Sequence, residues 1–147
     1  MVSGIDLAPV CLPKNRVTTY LKKKTDVPEN KSCGKNIKKI INKLEGWVIN
    51  TFSDLGIDGK RDQRMRGVWI NNKKIVSIGL SFLKWVSRHG LSINYNTPRG
   101  RVELLEGCGL EAGITSSLNQ MGHPINREDL EQNLIKNIKI LNRSLDK

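Results

Sequence analysis

The sequence predicts an α+β domain, and three features of the 147-residue chain carry that expectation. An apolar stripe of helical period runs from Lys35 to Leu55, a block of apolar and alternating runs from Gly67 to Asn96 reads as strands, and a second helical stripe starts at Asn126. Helix, several strands and helix in that order mark an α+β arrangement rather than alternating βαβ units. At this length the chain is one domain that buries roughly 70% of its extended surface on folding, enough for a core without staples.

Residues 1 to 34 are the least legible stretch. Pro9 and Pro13 interrupt any period, Val17 to Leu21 reads as a short strand, and Lys22-Lys23-Lys24 opens a polar connection through Pro28 to Gly34 that reads as a solvated loop. The stripe that follows consists of Ile37, Ile40, Ile41, Leu44, Val48, Phe52 and Leu55, with Gly56 placed to close the helix and Trp47 read as core. Lys35, Lys39 and Lys43, four apart, give the opposite face its charge. Lys60 to Arg66 reads as a charged loop. Gly67 to Ile70 and Lys73 to Leu80 then form a hairpin on Asn71-Asn72, because asparagine tolerates the positive φ of a tight turn. Ser81 to Arg88, with Phe82 and Trp85, reads as a further strand and turn over the core. His89 to Asn96 alternates as a half-buried strand does. In the last helix Asn126 is the cap, Glu128 and Asp129 suit the positive helix start, and Leu130, Leu134, Ile138, Leu141 and Leu145 form the apolar face.

Bulk composition narrows the function classes. A net charge of +11, from 25 Lys and Arg against 14 Asp and Glu, attracts polyanions or acidic proteins. Nucleic-acid readers with this balance show a zinc-finger spacing, an aromatic ribonucleoprotein motif or a basic zipper, and the sequence has none of them. Aromatic residues are 5% of the chain, poor provision for stacking on single-stranded bases. No apolar run approaches the ~20 residues of a membrane span, and Met1 to Gly4 does not read as a secretory or transit signal. Three cysteines, an odd number, argue against a disulfide framework and for a reducing compartment.

Three side chains between Gly67 and Ser117 can act on a substrate: Lys74 at the mouth of the second strand, His89 and Cys108. Glycine on both sides of Cys108 lets another molecule approach the thiol closely. Cys11 and Cys33 read as small apolar residues and His123 as surface.

The order Lys73-Lys74-Ile75-Val76-Ser77-Ile78-Gly79, then Trp85-Val86-Ser87-Arg88-His89-Gly90-Leu91-Ser92-Ile93-Asn94, then Cys108-Gly109-Leu110 and Ile114-Thr115-Ser116 resembles the lipoyl(octanoyl) transferase family, the octanoyl-[acyl-carrier-protein]:protein N-octanoyltransferases. The resemblance covers about residues 35 to 145 and divides the chain into a poorly matching segment, 1–34, and a catalytic domain, 35–147. It departs from the family in having no Arg-Gly-Gly or Tyr-His-Gly-Pro-Gly-Gln segment ahead of the first helix, which implies an N-terminally incomplete form. Gly107 replaces a proline, Ser92 an alanine, and Pro98-Arg99 an Asp-Leu.

The resemblance implies a biotin/lipoate ligase-like, class II synthetase-like fold, a mixed β-sheet backed by helices. It also implies an acyltransferase of cytoplasm, or of mitochondria in a eukaryote, that carries out the first step of protein lipoylation without metal or nucleotide cofactor. The donor is octanoyl-acyl carrier protein, whose phosphopantetheine arm presents the thioester. Acceptors are lipoyl domains of 2-oxo acid dehydrogenases or the glycine cleavage H protein. Cys108 is the nucleophile and Lys74 its activating cation and proton relay; Ser77, Ile78, Gly79, Gly90, Leu91 and Ser92 border the acyl chain, with His89 positioned in the same pocket. Two other classes compete: a catalytically impaired relative that docks lipoyl domains or carrier protein, and a basic nucleic-acid-binding module.

Overall fold

A computed structural model describes residues 6–10, 16–22, 33–83, 86–98 and 111–142, with side chains over 37–81, 90–98 and 111–141. Five strands form one sheet: β1 (Asp6–Val10), β2 (Arg16–Lys22), β3 (Gly67–Ile70), β4 (Lys73–Leu83) and β5 (Val86–Asn94). Their spatial order is β1-β2-β5-β4-β3, and every neighbouring pair is antiparallel. The one parallel element among the described residues is an isolated bridge from Lys74 to Thr115.

The strand expected at Val17 to Leu21 is the core of β2, and its register with β5, Thr19 opposite Leu91, joins the N-terminal stretch to the same sheet as the motifs. β1 escaped the sequence reading because Pro9 breaks its pattern. Proline has no amide hydrogen for a ladder, but β1 is an edge strand, where one side needs no partner.

Asn71 and Asn72 turn the β3–β4 hairpin with φ of 45° and 66°, the left-handed pair that a two-residue loop requires. The expected separate strand between Ser81 and Arg88 is not formed. β4 and β5 instead continue as one long hairpin, through Leu80↔His89 and Ser81↔Arg88 to Leu83↔Val86, because each added pair completes main-chain hydrogen bonds that a separate crossing strand would leave open.

Helix α1 (Cys33–Asp54) ends as its sequence suggests. Gly56 has φ 73°, its amide donates to the Ser53 carbonyl at 3.0 Å, and the Ile57 amide donates to the Phe52 carbonyl at 2.8 Å. These two bonds make a Schellman closure, with Ile57 and Phe52 both in the core. Helix α2 (Arg127–Lys136) is capped by Asn126, whose side chain accepts from the Asp129 amide at 2.8 Å. The C-terminal stripe was expected to be a single helix, but it breaks at Asn137, whose side-chain amide donates both to the Asn133 carbonyl and to Asp54, each at 2.9 Å. A short α3 (Lys139–Asn142) resumes the apolar face with Leu141, and Leu145 lies outside the described residues.

The core lies between these helices and one face of the sheet. Leu44, Trp47, Val48 and Phe52 of α1, with Leu130, Leu134 and Leu141, pack on Val68, Ile70, Ile75, Val76, Leu91 and Ile93. Trp47 is fully buried, and its indole donates to the Leu134 carbonyl at 2.9 Å, tying the two helical regions together. No helix among the described residues is long and apolar enough to cross a membrane. Asn126→Ala removes the α2 cap and is expected to cost about 1 kcal/mol. Thermal unfolding would read this as a drop of roughly 2–4 °C.

Candidate active site around Lys74

The β3–β4 ladder is irregular at one point. Val68 pairs with Val76 and Trp69 pairs with Lys74, so Ile75 is the extra residue of a β-bulge. A bulge re-aims the side chains that flank it. Ile75 and Val76 both enter the core with Val68, whereas Lys74 turns to the face of Trp69 and Gly67, the face away from α1.

Lys74 is held there by main chain and side chain. Its amide donates to the Ile114 carbonyl at 2.9 Å, and its carbonyl accepts from the Ser116 amide at 3.0 Å. Its ammonium lies 2.7 Å from the Met65 sulfur, and the residue is 6% exposed. Lysine is almost never this buried without a specific reason, because desolvation of the ammonium is costly. Neighbouring Lys73 donates to the Gly113 carbonyl, so the segment carrying Ile114, Thr115 and Ser116 is fastened along the start of β4.

Room for the lysine depends on Gly67. Its φ of 138° suits glycine, and a Cβ built on it would meet the Val76 carbonyl oxygen at 2.1 Å and Lys74 Cε at 3.2 Å. The Gly67 amide donates to Glu45 at 3.1 Å; the other oxygen of that carboxylate accepts from Arg61 at 3.0 Å, with Arg66 at 3.8 Å. Glu45 is 1% exposed. One buried carboxylate therefore anchors the charged loop and the first residue of β3 to α1. Arg64 lies over the Trp69 ring at 4.4 Å and grips Asp62 through both carboxylate oxygens. Hydrogen bonds from the Arg64 side chain hold the Asp62 carboxyl down to about 2.

The two small-residue segments meet across the sheet. Ser77 pairs with Ser92, Ile78 with Leu91, and Gly79 with Gly90. By the alternation of strands, Ser77, Gly79, Gly90 and Ser92 share one face, while Ile78 and Leu91 turn toward the core. Among the described residues a Cβ at Gly79 would have nothing within 4 Å, so the strip is open at Gly79, whereas Gly90 is buried. His89 pairs with Leu80 in β5, and its side chain lies outside the described residues. So does Cys108, in the stretch 99–110. The turn after β5 is knitted to the fastened segment: Asn94 donates to the Ser116 carbonyl at 3.3 Å, and Asn119 donates to Asn96 at 3.0 Å.

His123, read as surface, lines a cleft of about 390 Å³ with Leu55, Ile57, Pro124, Asp129 and Asn133, away from every residue of the strip. No cluster of three metal-ligating side chains occurs among the described residues. The sequence reading passed over Glu45, Met65 and Gly67. A signal existed for Glu45 alone, since it interrupts the apolar run Ile41, Glu45, Val48, Phe52 at helical spacing.

Residues 25–139 match the lipoyl protein ligase A/B catalytic domain. An octanoyltransferase of Caldicellulosiruptor saccharolyticus is 36% identical over 108 residues, 71% of this chain and 46% of its own length. One from Rickettsia prowazekii is 40% identical over 93 residues, 60% of this chain and 44% of its own. The chain thus spans about half the length of the curated relatives it matches. Among solved structures, biotin protein ligase from Aquifex aeolicus superposes with a TM-score of 0.67 at 16% identity, over 90% of this chain and 55% of that one. A bipartite lipoate protein ligase from Thermoplasma acidophilum superposes at 0.66 and 13% identity, over 88% and 52%. These superpositions carry the expected biotin/lipoate ligase-like fold.

Proposed function

The chain belongs to the lipoyl protein ligase A/B catalytic domain family, and from that premise we propose that it moves an octanoyl group from octanoyl-acyl carrier protein to a lysine of a lipoyl domain through a thioester on Cys108. Lipoyl domains of 2-oxo acid dehydrogenases and the glycine cleavage H protein are the acceptors of matching chemistry. The observation that carries the reading is Lys74: a lysine drawn inside the fold by a bulge and held against the Ile114–Ser116 segment, beside a strip of small residues that is open at Gly79.

In the first step the Cys108 thiolate attacks the thioester carbon of the octanoyl donor. A new C–S bond forms, the bond to the pantetheine sulfur breaks, and that sulfur leaves carrying the electron pair and takes up the proton of the Lys74 ammonium, which is left neutral. An ammonium near the thiol favours the thiolate, the reactive form. In the second step a neutral lysine amine of the acceptor attacks the octanoyl-Cys108 carbon, the amide forms and the Cys108 sulfur leaves. The proton lost by the attacking amine passes to Lys74 in its neutral form, or through it to the departing sulfur. The eight-carbon tail would run along Ser77, Gly79, Gly90 and Ser92, small residues on one face of the sheet, with Ile78 and Leu91 backing it from the core side.

Intact-mass analysis after incubation with octanoyl-acyl carrier protein tests the reading. The expected result is one octanoyl adduct, removed by hydroxylamine as thioesters are and mapped to Cys108, that disappears when a lipoyl domain is added and reappears there as an amide. Binding of either partner with no adduct would make the chain a docking relative and defeat the transferase reading. Nucleic-acid affinity that falls steeply with salt, without adduct, would replace it by a basic binding module.

A further inference from the structure

The loop from Lys60 to Arg66 is charged or polar at every position except Met65. It is also closely tied down. Lys60 and Trp69 exchange main-chain hydrogen bonds of 2.8 Å, and Arg61 and Arg66 converge on Glu45. The same two arginines reach Asn42, Arg61 to its carbonyl at 3.0 Å and Arg66 to its side-chain oxygen at 3.1 Å. The Trp69 indole donates to the Met65 carbonyl at 3.1 Å, which fixes the backbone of Met65 itself. All of this directs one thioether onto the ammonium of Lys74, 2.7 Å away.

The residue type matters at that point. A carboxylate there would pair the ammonium and hold its proton; an aliphatic side chain would offer no lone pair at all. A thioether is a weak acceptor and a polarizable apolar neighbour, so it orients an amine without neutralising it. We propose that Met65 is a positioning residue for Lys74, aiming its Nζ into the acyl-transfer site while leaving the amine able to gain and lose a proton. This rests on the octanoyl-transfer reading above, which gives Lys74 its work, and Glu45 serves it by holding the loop in place.

Two substitutions in the full chain test the assignment, Met65→Leu and Met65→Glu, each followed in two ways. The first readout uses no acyl donor: NMR titration of Lys74 in protein labelled at lysine Cε. The second is the pH profile of the two half-reactions, octanoyl-adduct formation and transfer from the adduct to a lipoyl domain. Met65→Leu preserves volume, so the thermal midpoint is expected to hold while adduct formation slows about 10-fold for want of an oriented amine. Met65→Glu is expected to move the Lys74 titration, and with it the rising limb of transfer from octanoyl-Cys108 to the acceptor amine, to higher pH by about one unit or more, because a carboxylate within contact favours the charged amine and that second step uses the neutral one. A filler role would leave the rate of Met65→Leu where the unmodified chain has it, since leucine fills the same space, and that result overturns the proposal whatever Met65→Glu does. If the unmodified chain forms no adduct but the Lys74 titration responds as stated, the transfer reading fails and the Met65 contact stands. If the unmodified chain forms the adduct and neither variant changes its rate or profile, Met65 loses the role and the transfer reading stands.

Discussion

Lys74→Met is expected to slow the proposed octanoyl transfer by about 10²–10⁴-fold, the range of a lost general acid–base group, with little change in stability. The two effects separate because Lys74 is held through different atoms from those it would use. Its links to Ile114 and Ser116 are made by its own main chain and survive any side-chain change. Methionine fills a similar volume, and replacing a buried charge by an apolar side chain of like shape is often neutral or stabilising. Lys74→Arg sharpens the test: arginine keeps the positive charge but does not release its proton, so a proton-relay role predicts loss of the second step even where Cys108 is still acylated. Initial rates by intact mass, with thermal midpoints beside them, give the comparison. A rate within about twofold of the unmodified chain for Lys74→Met would remove this lysine from the chemistry.

Gly67→Ala is expected to be the most damaging single substitution among the described residues, at about 3 kcal/mol or more. Two costs combine. A non-glycine residue at φ 138° is strained by about 1–3 kcal/mol, and the added Cβ would stand 2.1 Å from the Val76 carbonyl oxygen, a backbone atom that moves only if the hairpin does. For a domain of this length that is a fall in thermal midpoint of roughly 6–12 °C. Because the same Cβ would lie 3.2 Å from Lys74 Cε, protein that still folds is expected to be slower in the proposed octanoyl transfer. An alanine variant with an unchanged midpoint would show that the β3–β4 bulge is not the tight seat described above.

How much of this was legible beforehand depends on the kind of force involved. Helix α1 with its Gly56 stop, the Asn71-Asn72 turn and the Asn126 cap are local: each depends on residues within about one turn of one another. The motif order also singled out Lys74 as a candidate, together with the segments Ser77–Gly79 and Gly90–Ser92, and the register sets those two segments side by side. Misreadings came where distant partners intervened. β1 exists only because β2 offers it a ladder, and the last helix breaks where Asn137 finds Asp54, 83 residues away in the chain. Glu45 looked like one polar residue in a stripe until Arg61 and the Gly67 amide met it.

The sequence by itself determined helix α1, the capped start of α2, the hairpin turn and the family to which the motifs belong, since periodicity, capping and turn chemistry act between near neighbours. Only the tertiary structure decided which way Lys74 points. One surplus residue in the β4 ladder, Ile75, sends the lysine to the opposite face from the core, and a glycine across the ladder leaves it room. A register shift is a relation between two strands, and no single strand's residues contain it.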